Sequence, residues 1–503
     1  MRLNSNSTLG LTIAGLTSLV LGCGSGPISE GDDEIGDTGE SDSTGESDST
    51  SEADTSESDS TDTGETTTGD GDGDGDACLD AEGTLALDAL RLSSGEDRAW
   101  MIAKGGEIEL PLAGPASDTL GLLGAAADSR IAIARSSGAF DEAQQTTLHA
   151  FDRESGALIW TRELADVWAT QLWVADDGWI SGGVNPPQVG QLVGFAMNDD
   201  EAVALPNHVP LAAPSGGFVA AQEMLQDSTL GEVGWIDLAD SSWTPATPPP
   251  LEVWGVQTGE DDLTLEYIAS EDTGPLLVLA TPGSGELFDL SNVLPGPDDD
   301  SIALIGSAGD FRLIQSVDPQ TQVHRFVRID VGLGEITLID PEPPVSWTWF
   351  DCYSRSVRLD ADGSMIFELR DDSSAQTWAY APEDEQWSAL GSAVSGIDDI
   401  DFAGQFGSVH VVRSAEQFTT FCPPVEWGSP PPDALIGETL QLIRRSPALA
   451  TTLPTTFWAG QVRIDSQERC VAYSNARGWW VRALGDESDL AFGPPVGEWL
   501  WLD

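Results

Sequence analysis

The chain has 503 residues, with 85 Asp or Glu against 21 Lys or Arg, and a formal charge of −64. So acidic a surface repels nucleic-acid phosphates and anionic headgroups, which argues against binding to either. After the N-terminus no apolar run reaches 18 residues, which excludes a polytopic helical membrane protein.

Residues 1–22 read as a signal segment. Arg2 gives a short positive region, and residues 9–21 form an apolar stretch, diluted by Gly and Thr, that is too short to span a bilayer. The end of it, Val20-Leu21-Gly22-Cys23, resembles the lipobox of bacterial lipoproteins. That resemblance implies cleavage before Cys23, three acyl chains on its thiol and the new N-terminus, and stable anchoring to a membrane. Gly24, where an Asp commonly marks inner-membrane retention in that family, fits the outer membrane. The expected location is the bacterial cell envelope, periplasmic or surface-exposed.

Residues 23–77 follow as the lipidated cysteine and a linker. From 24 to 77 there is no Lys, Arg or aromatic residue, nineteen carboxylates are present, and GESDST stands at 39–44 and again at 45–50. Such a segment cannot bury enough apolar surface to offset the entropy of ordering, so it is predicted to be disordered and extended by self-repulsion. A lipid anchor with an acidic arm resembles myxobacterial lipoproteins. Asp70, Asp72, Asp74 and Gly75 match the first half of an EF-hand loop, but Ala81 stands where the bidentate Glu belongs, so no calcium site is predicted.

Residues 78–503 hold all eighteen tryptophans, and sixty-six acids against twenty bases. Short Val/Ile/Leu/Trp runs recur between Gly, Pro, Asp and Ser clusters, the pattern of many short strands. One stretch, 432–445, reads as helical. An apolar run followed by an aromatic-Asp hairpin recurs, most clearly as Ile131 to Ala134 and then Leu148 to Trp160. Eight such pairs over 426 residues give about 53 per unit, near the roughly 40 to 50 of propeller blades. The predicted fold is therefore an all-β β-propeller of seven or eight blades, eight favoured, behind a disordered linker; a β-sandwich array is the alternative. The terminal Glu498-Trp-Leu-Trp-Leu-Asp503 alternates like a strand and can complete a blade with N-terminal residues.

In the clearest hairpin, Ala150, Asp152, Ser155, Gly156 and Trp160 match the repeat of pyrroloquinoline-quinone-like propellers, which this blade resembles. The match covers about a tenth of the domain. One blade does not define a cofactor pocket, and no cofactor is predicted.

Beyond Cys23, four cysteines remain, and an oxidising compartment predicts two disulfides with three possible connectivities. The favoured pairs are Cys352 with Cys422 in adjacent blades, and Cys78 with Cys470, tying the start of the domain to its last blade.

Chemistry is thin. His149 and His410 sit in predicted strands, His208 and His324 among loop residues; no two have metal-ligand spacing, and no metal site is predicted. No catalytic residue is nominated. Acid pairs such as Asp298-Asp-Asp300 and Asp398-Asp399 are expected by chance in so acidic a chain. Two aromatic clusters are the binding candidates: Trp347, Trp349 and Tyr353 beside Asp351, and Trp479-Trp480 near Arg482. Alternating tryptophans are more often blade core. The function expected is an anchored module that binds or scaffolds an envelope protein, peptide or glycan; the alternative is a propeller-type enzyme, a glycan lyase, glycosidase or quinone-dependent dehydrogenase.

Overall fold

Residues that alternate poorly but run apolar for five to eight positions build strands buried on both faces, and such strands need a sheet on each side. In the computed structural model this is how Arg130–Ser137 and Gln145–Asp152 are used: all but their end residues are buried. The next strand, Leu158–Ala165, is open to solvent along its length. The described residues are 78–502, apart from 81–83, 104–105, 115–119, 139–143, 187–191, 226–228, 248–255, 260, 272–273, 295–300, 318–323, 346–347, 350–356, 372–373, 396–398, 407, 416–438, 446–447, 454–461, 476–477, 485–489 and 493–497.

These residues form nine antiparallel sheets. Sheets 2 to 9 follow in chain order: 120–165, 168–205, 208–245, 257–289, 301–339, 348–395, 399–453 and 462–492. Each lays its strands side by side as they leave the chain, and sheet 7 has a fifth because Thr348–Trp349 and Val357–Leu359 both pair with Met365–Arg370. Sheet 1 is different. Its outer three strands are Ala89–Ser93, Arg98–Ala103 and Gly106–Leu110, and its inner strand is Glu498–Trp501 from the far end of the chain.

Among the described residues an apolar core stands in each of the nine seams between the sheets. Leu90 and Leu92 of sheet 1 pack on Ile131 and Ile133 of sheet 2. Ala196 and Leu205 of sheet 3 meet Val219 and Ile236 of sheet 4, and Ile366 and Ala379 of sheet 7 meet Val412 and Ile443 of sheet 8. The remaining seams repeat this, and the last joins Ala472 and Trp479 of sheet 9 to Ala89 and Trp499 of sheet 1. The circle therefore closes: the fold is a nine-bladed β-propeller. One four-stranded sheet leaves two greasy faces wet, and a closed ring covers both. The seams are tight. A Cβ on Gly124 would stand 2.9 Å from the methyl ends of Leu90 and Leu92, which would have to shift to admit it.

The expected eight blades thus become nine. The missed unit is sheet 1, because its strands come from both chain ends and its first strands lack the aromatic-Asp hairpin used for counting. The pairing of the terminal strand with N-terminal residues is as the alternation predicted. The helix read into 432–445 is corrected: Thr439–Arg444 is a strand against Val409–Ala415, with Leu442 and Ile443 buried, and 432–438 lie outside the described residues. Leu442 and Ile443 face opposite cores, which a strand allows and one apolar helix stripe does not. The same strand is the third of sheet 8.

Candidate functional site

Strand exposure sets the direction of each blade. Fourth strands such as Gly106–Leu110 and Ser284–Asp289 are mostly exposed, so the chain runs from the axis outward and first strands surround the centre. The turns leaving those first strands crowd the axial mouth. Four of them, from sheets 2 to 5, line a cavity of about 220 Å³ together with the end of the inner strand of sheet 1.

Each turn is set by local chemistry. Asp261 Oδ1 accepts the N–H groups of Leu263 and Thr264 at 3.0 and 2.7 Å, and its other oxygen accepts the Thr264 hydroxyl at 2.8 Å. This Asx turn presents Asp262 with φ +57°, a backbone state that Asp tolerates better than most residues. In sheet 3, Asp177 accepts the Trp179 N–H at 3.3 Å. Asp176 reaches back to sheet 2, where it accepts the Asp128 N–H at 3.1 Å and its carbonyl accepts the Ser129 hydroxyl at 3.0 Å. Sheet 4 contributes Pro214, Ser215 and Gly216, and sheet 1 the end of its last strand, Trp501 and Leu502.

The lining holds five carboxylates, Asp128, Asp176, Asp177, Asp261 and Asp262, and a single cation, Arg153. Arg153 donates to the Ala127 carbonyl at 3.2 Å and lies 3.8 Å from Asp128. Burial, then the charges of Asp261 and Asp176, push the Asp262 carboxyl up to about 7. On the opposite arc three acids are in ion pairs, while burial raises the pKa of Asp360, in the same turn as Asp362. Asp362 pairs with Arg445 at 2.6 Å, Glu468 with Arg444 at 2.9 Å and Asp465 with Arg469 at 2.9 Å. The cavity thus carries an excess of carboxylate over cation. A concave site with excess carboxylate suits a guanidinium or ammonium group, and Asp262 can exchange a proton near neutrality.

The residues singled out from sequence fall elsewhere. Trp479 is fully buried between sheets 9 and 1, which leaves it no face for stacking, and Trp480 is half-buried against the core shared with sheet 8. Arg482 is buried with its guanidinium 6.0 Å from the Tyr473 ring centre. Trp349 belongs to a two-residue strand; Trp347, Asp351 and Tyr353 lie outside the described residues, as do Cys23, Cys352, Cys422, Asp298 to Asp300, Asp398 and the 70–76 acidic run. Cys78 and Cys470 form a disulfide.

The four histidines are spread over sheets 2, 4, 6 and 8, and none lines the cavity. His208 and His324 begin strands, where loops had been expected. His149 accepts the Ala113 N–H at 2.8 Å, and burial lowers its pKa. Burial, then Arg358, pushes His410 down to about 4. Among the described residues no group of three or more His, Cys, Asp or Glu side chains is arranged to hold a metal ion.

The hairpin resembling quinone-type repeats folds as its residues dictate. Ser155 donates to Asp152 through N–H and hydroxyl, which lowers the Asp152 pKa, and Gly156 takes φ +67°. Trp160 donates to Asp199 of sheet 3 at 2.8 Å.

No protein-family model matches the chain, and no curated protein does. Solved structures are similar in fold. The β-propeller domain of the trilobed protease from Pyrococcus furiosus superposes with TM-score 0.33 at 10% identity, over 65% of this chain and 94% of that one. AztD from Citrobacter koseri gives 0.36 at 13% identity, over 82% of this chain and 97% of that one. A prolyl endopeptidase gives 0.41 at 8% identity over 76% of this chain, which spans half of that enzyme.

The acidic mouth was missed from sequence because acid doublets abound. Its signal is positional. Asp128 and Asp176, 48 residues apart, occupy the same turn in successive blades, a coincidence visible only once blade boundaries are known.

Proposed function

We propose that the chain is a lipid-anchored, extracytoplasmic binding or scaffold module of the bacterial envelope, whose axial mouth takes a cationic segment of a partner protein or peptide. The observation that carries this reading is the charge of the cavity at the mouth: five carboxylates against one guanidinium. Charge of one sign in a cleft raises the local concentration of opposite charge and steers encounter. The lipobox-like Val20-Leu21-Gly22-Cys23 supports anchoring at the outer membrane, and the acidic arm would hold the propeller away from it.

Two measurements test it. Full-length protein in nanodiscs should bind an Arg-rich peptide in a salt-sensitive way, more weakly after Asp176→Asn with Asp261→Asn; equal binding of an acidic peptide of the same length refutes the cationic partner. Proximity labelling in cells, with Cys23→Ala as control, should report outer-membrane neighbours that the variant loses. An unchanged neighbour set refutes the anchor.

A further inference from the structure

The acids of the cavity have one basic companion, and it is bonded unlike the other arginines of this face. Arg153 donates from Nη1 to the Ala127 carbonyl at 3.2 Å, and the same nitrogen lies 3.8 Å from Asp128, beyond hydrogen-bond length. Arg445, Arg444 and Arg469 hold their carboxylates at 2.6, 2.9 and 2.9 Å. Among the described residues nothing pairs with the Nε–Nη2 edge of Arg153, although its side chain is only 18% exposed. That edge presents two parallel N–H donors, the fork that fits a carboxylate bidentately. The backbone fixes its base, since the Arg153 N–H donates to the Ser129 carbonyl at 3.2 Å.

The same cavity gathers charge of the other sign. Asp262 feels the charges of Asp261 and Asp176, so these three stand close enough to repel, and a cation among them would relieve that repulsion. Short apolar side chains, among them Val174, Ala175, Ala213 and Pro214, complete the lining and suit an aliphatic stem. At about 220 Å³ the space falls below the roughly 300–1,000 Å³ of sites for drug-sized ligands, so it admits one residue and not a folded segment.

We propose that the cavity captures the C-terminal residue of the partner segment, an Arg or a Lys: Arg153 takes the terminal carboxylate, and Asp176, Asp261 and Asp262 take the side-chain cation. This rests on the cationic reading of the mouth and adds a direction to it. An internal Arg offers positive charge only. A terminal one offers both signs within a single residue, which is what the lining presents. Five carboxylates against one guanidinium leave an excess for cations after one anion is paired, so a basic terminal residue matches and an acidic one does not.

The test uses the full chain in nanodiscs and one Arg-rich peptide, labelled at its N-terminus and made with its final Arg either as the free acid or amidated. Fluorescence anisotropy at fixed ionic strength should show the free acid binding at least about tenfold more tightly, the scale of a charge-assisted pair. Simple attraction to an acidic mouth predicts the reverse, because amidation raises the charge of the peptide by one. Arg153→Gln should abolish the preference, and Arg153→Lys, which keeps the charge and loses the fork, should reduce it. Equal or tighter binding of the amide, or an undiminished preference in Arg153→Gln, overturns capture of the terminus and leaves the cationic reading standing. No binding of either peptide overturns both. Free arginine should displace the peptide only at far higher concentration; displacement at equal concentration would assign the cavity to a free amino acid and overturn the partner segment. Should Arg153→Gln fail to fold, the comparison of acid and amide on the unaltered chain decides.

Discussion

Cys78 and Cys470 lie 392 positions apart in sequence and are joined by a disulfide, with their Cα atoms 5.3 Å apart. Both sulfurs belong to the core that seals sheet 9 to sheet 1, together with Leu85, Leu87, Trp479 and Trp499. The bond therefore spans the seam that closes the ring, where the two ends of the domain meet.

Opening that bond should loosen the whole ring, since it restricts the unfolded chain over nearly the full domain. Replacing both cysteines by alanine is expected to cost about 2–5 kcal/mol. Urea denaturation of the oxidised protein and the double variant reads this directly; coincident midpoints would count against it.

The same seam depends on the final strand. Trp499 is fully buried, contacts Trp479, Phe492 and Trp501, and is held in register by Arg91. Trp499→Ala should cost about 3–5 kcal/mol, mostly as a cavity. Limited proteolysis should then cut sheet 1 and sheet 9 before the sheets on the opposite side of the ring.

Between sheets 5 and 6 a buried ion pair stands beside the apolar core. Glu266, at 1% exposure, accepts from Arg312 Nε at 2.8 Å, Gln257 Nε2 at 2.7 Å and the Ser307 hydroxyl at 2.6 Å. Removing either charge alone strands the other in the core, so Glu266→Leu or Arg312→Leu should each cost about 3–5 kcal/mol. The double variant should cost much less than their sum, because no unpaired charge remains. A double-mutant cycle in urea measures the difference, and strict additivity would contradict it.

Asp262 should make stability fall as pH rises. Its carboxyl titrates near 7 in the folded chain, against 3.8 as the ordinary value. Between those pH values the folded state keeps a proton that the unfolded state has released. The advantage is full below pH 4 and is lost as the pH climbs through about 7. Asp262→Asn, which also suits a positive φ, should flatten that slope and add roughly 1–3 kcal/mol above pH 7. Peptide binding at the mouth should run the other way, strengthening as Asp262 ionises, and the variant should lose that rise. Denaturation and binding titrations from pH 5 to pH 8 test both signs.

Much of the architecture could be read from residues alone. Runs such as Ile131 to Ala134 and Leu148 to Phe151 bury on both faces, and composition by itself then demands a sheet on each side. Asp152-Arg-Glu-Ser155-Gly156 largely specifies its own turn, through the bonds that Ser155 and Gly156 donate to Asp152 three and four residues back. The alternation of Glu498 to Trp501 likewise announced a strand. These are local properties, governed by side-chain period, backbone preference and short-range hydrogen bonds.

The number of blades, the partner of the last strand and the charge of the mouth are not local. Sheet 1 exists because two segments nearly 400 residues apart close a ring, and no window of sequence contains both. Asp128, Asp176 and Asp262 become one site only when successive turns are brought to a common axis, where burial and mutual repulsion change what a carboxylate does. Trp479 and Trp480 are adjacent in sequence yet face different seams, and only the packing decides which neighbour each one meets. The sequence by itself determined the building unit, through forces acting within a few residues. The tertiary structure decided how many units surround the axis and which side chains share a surface, because both depend on closure of the entire circle.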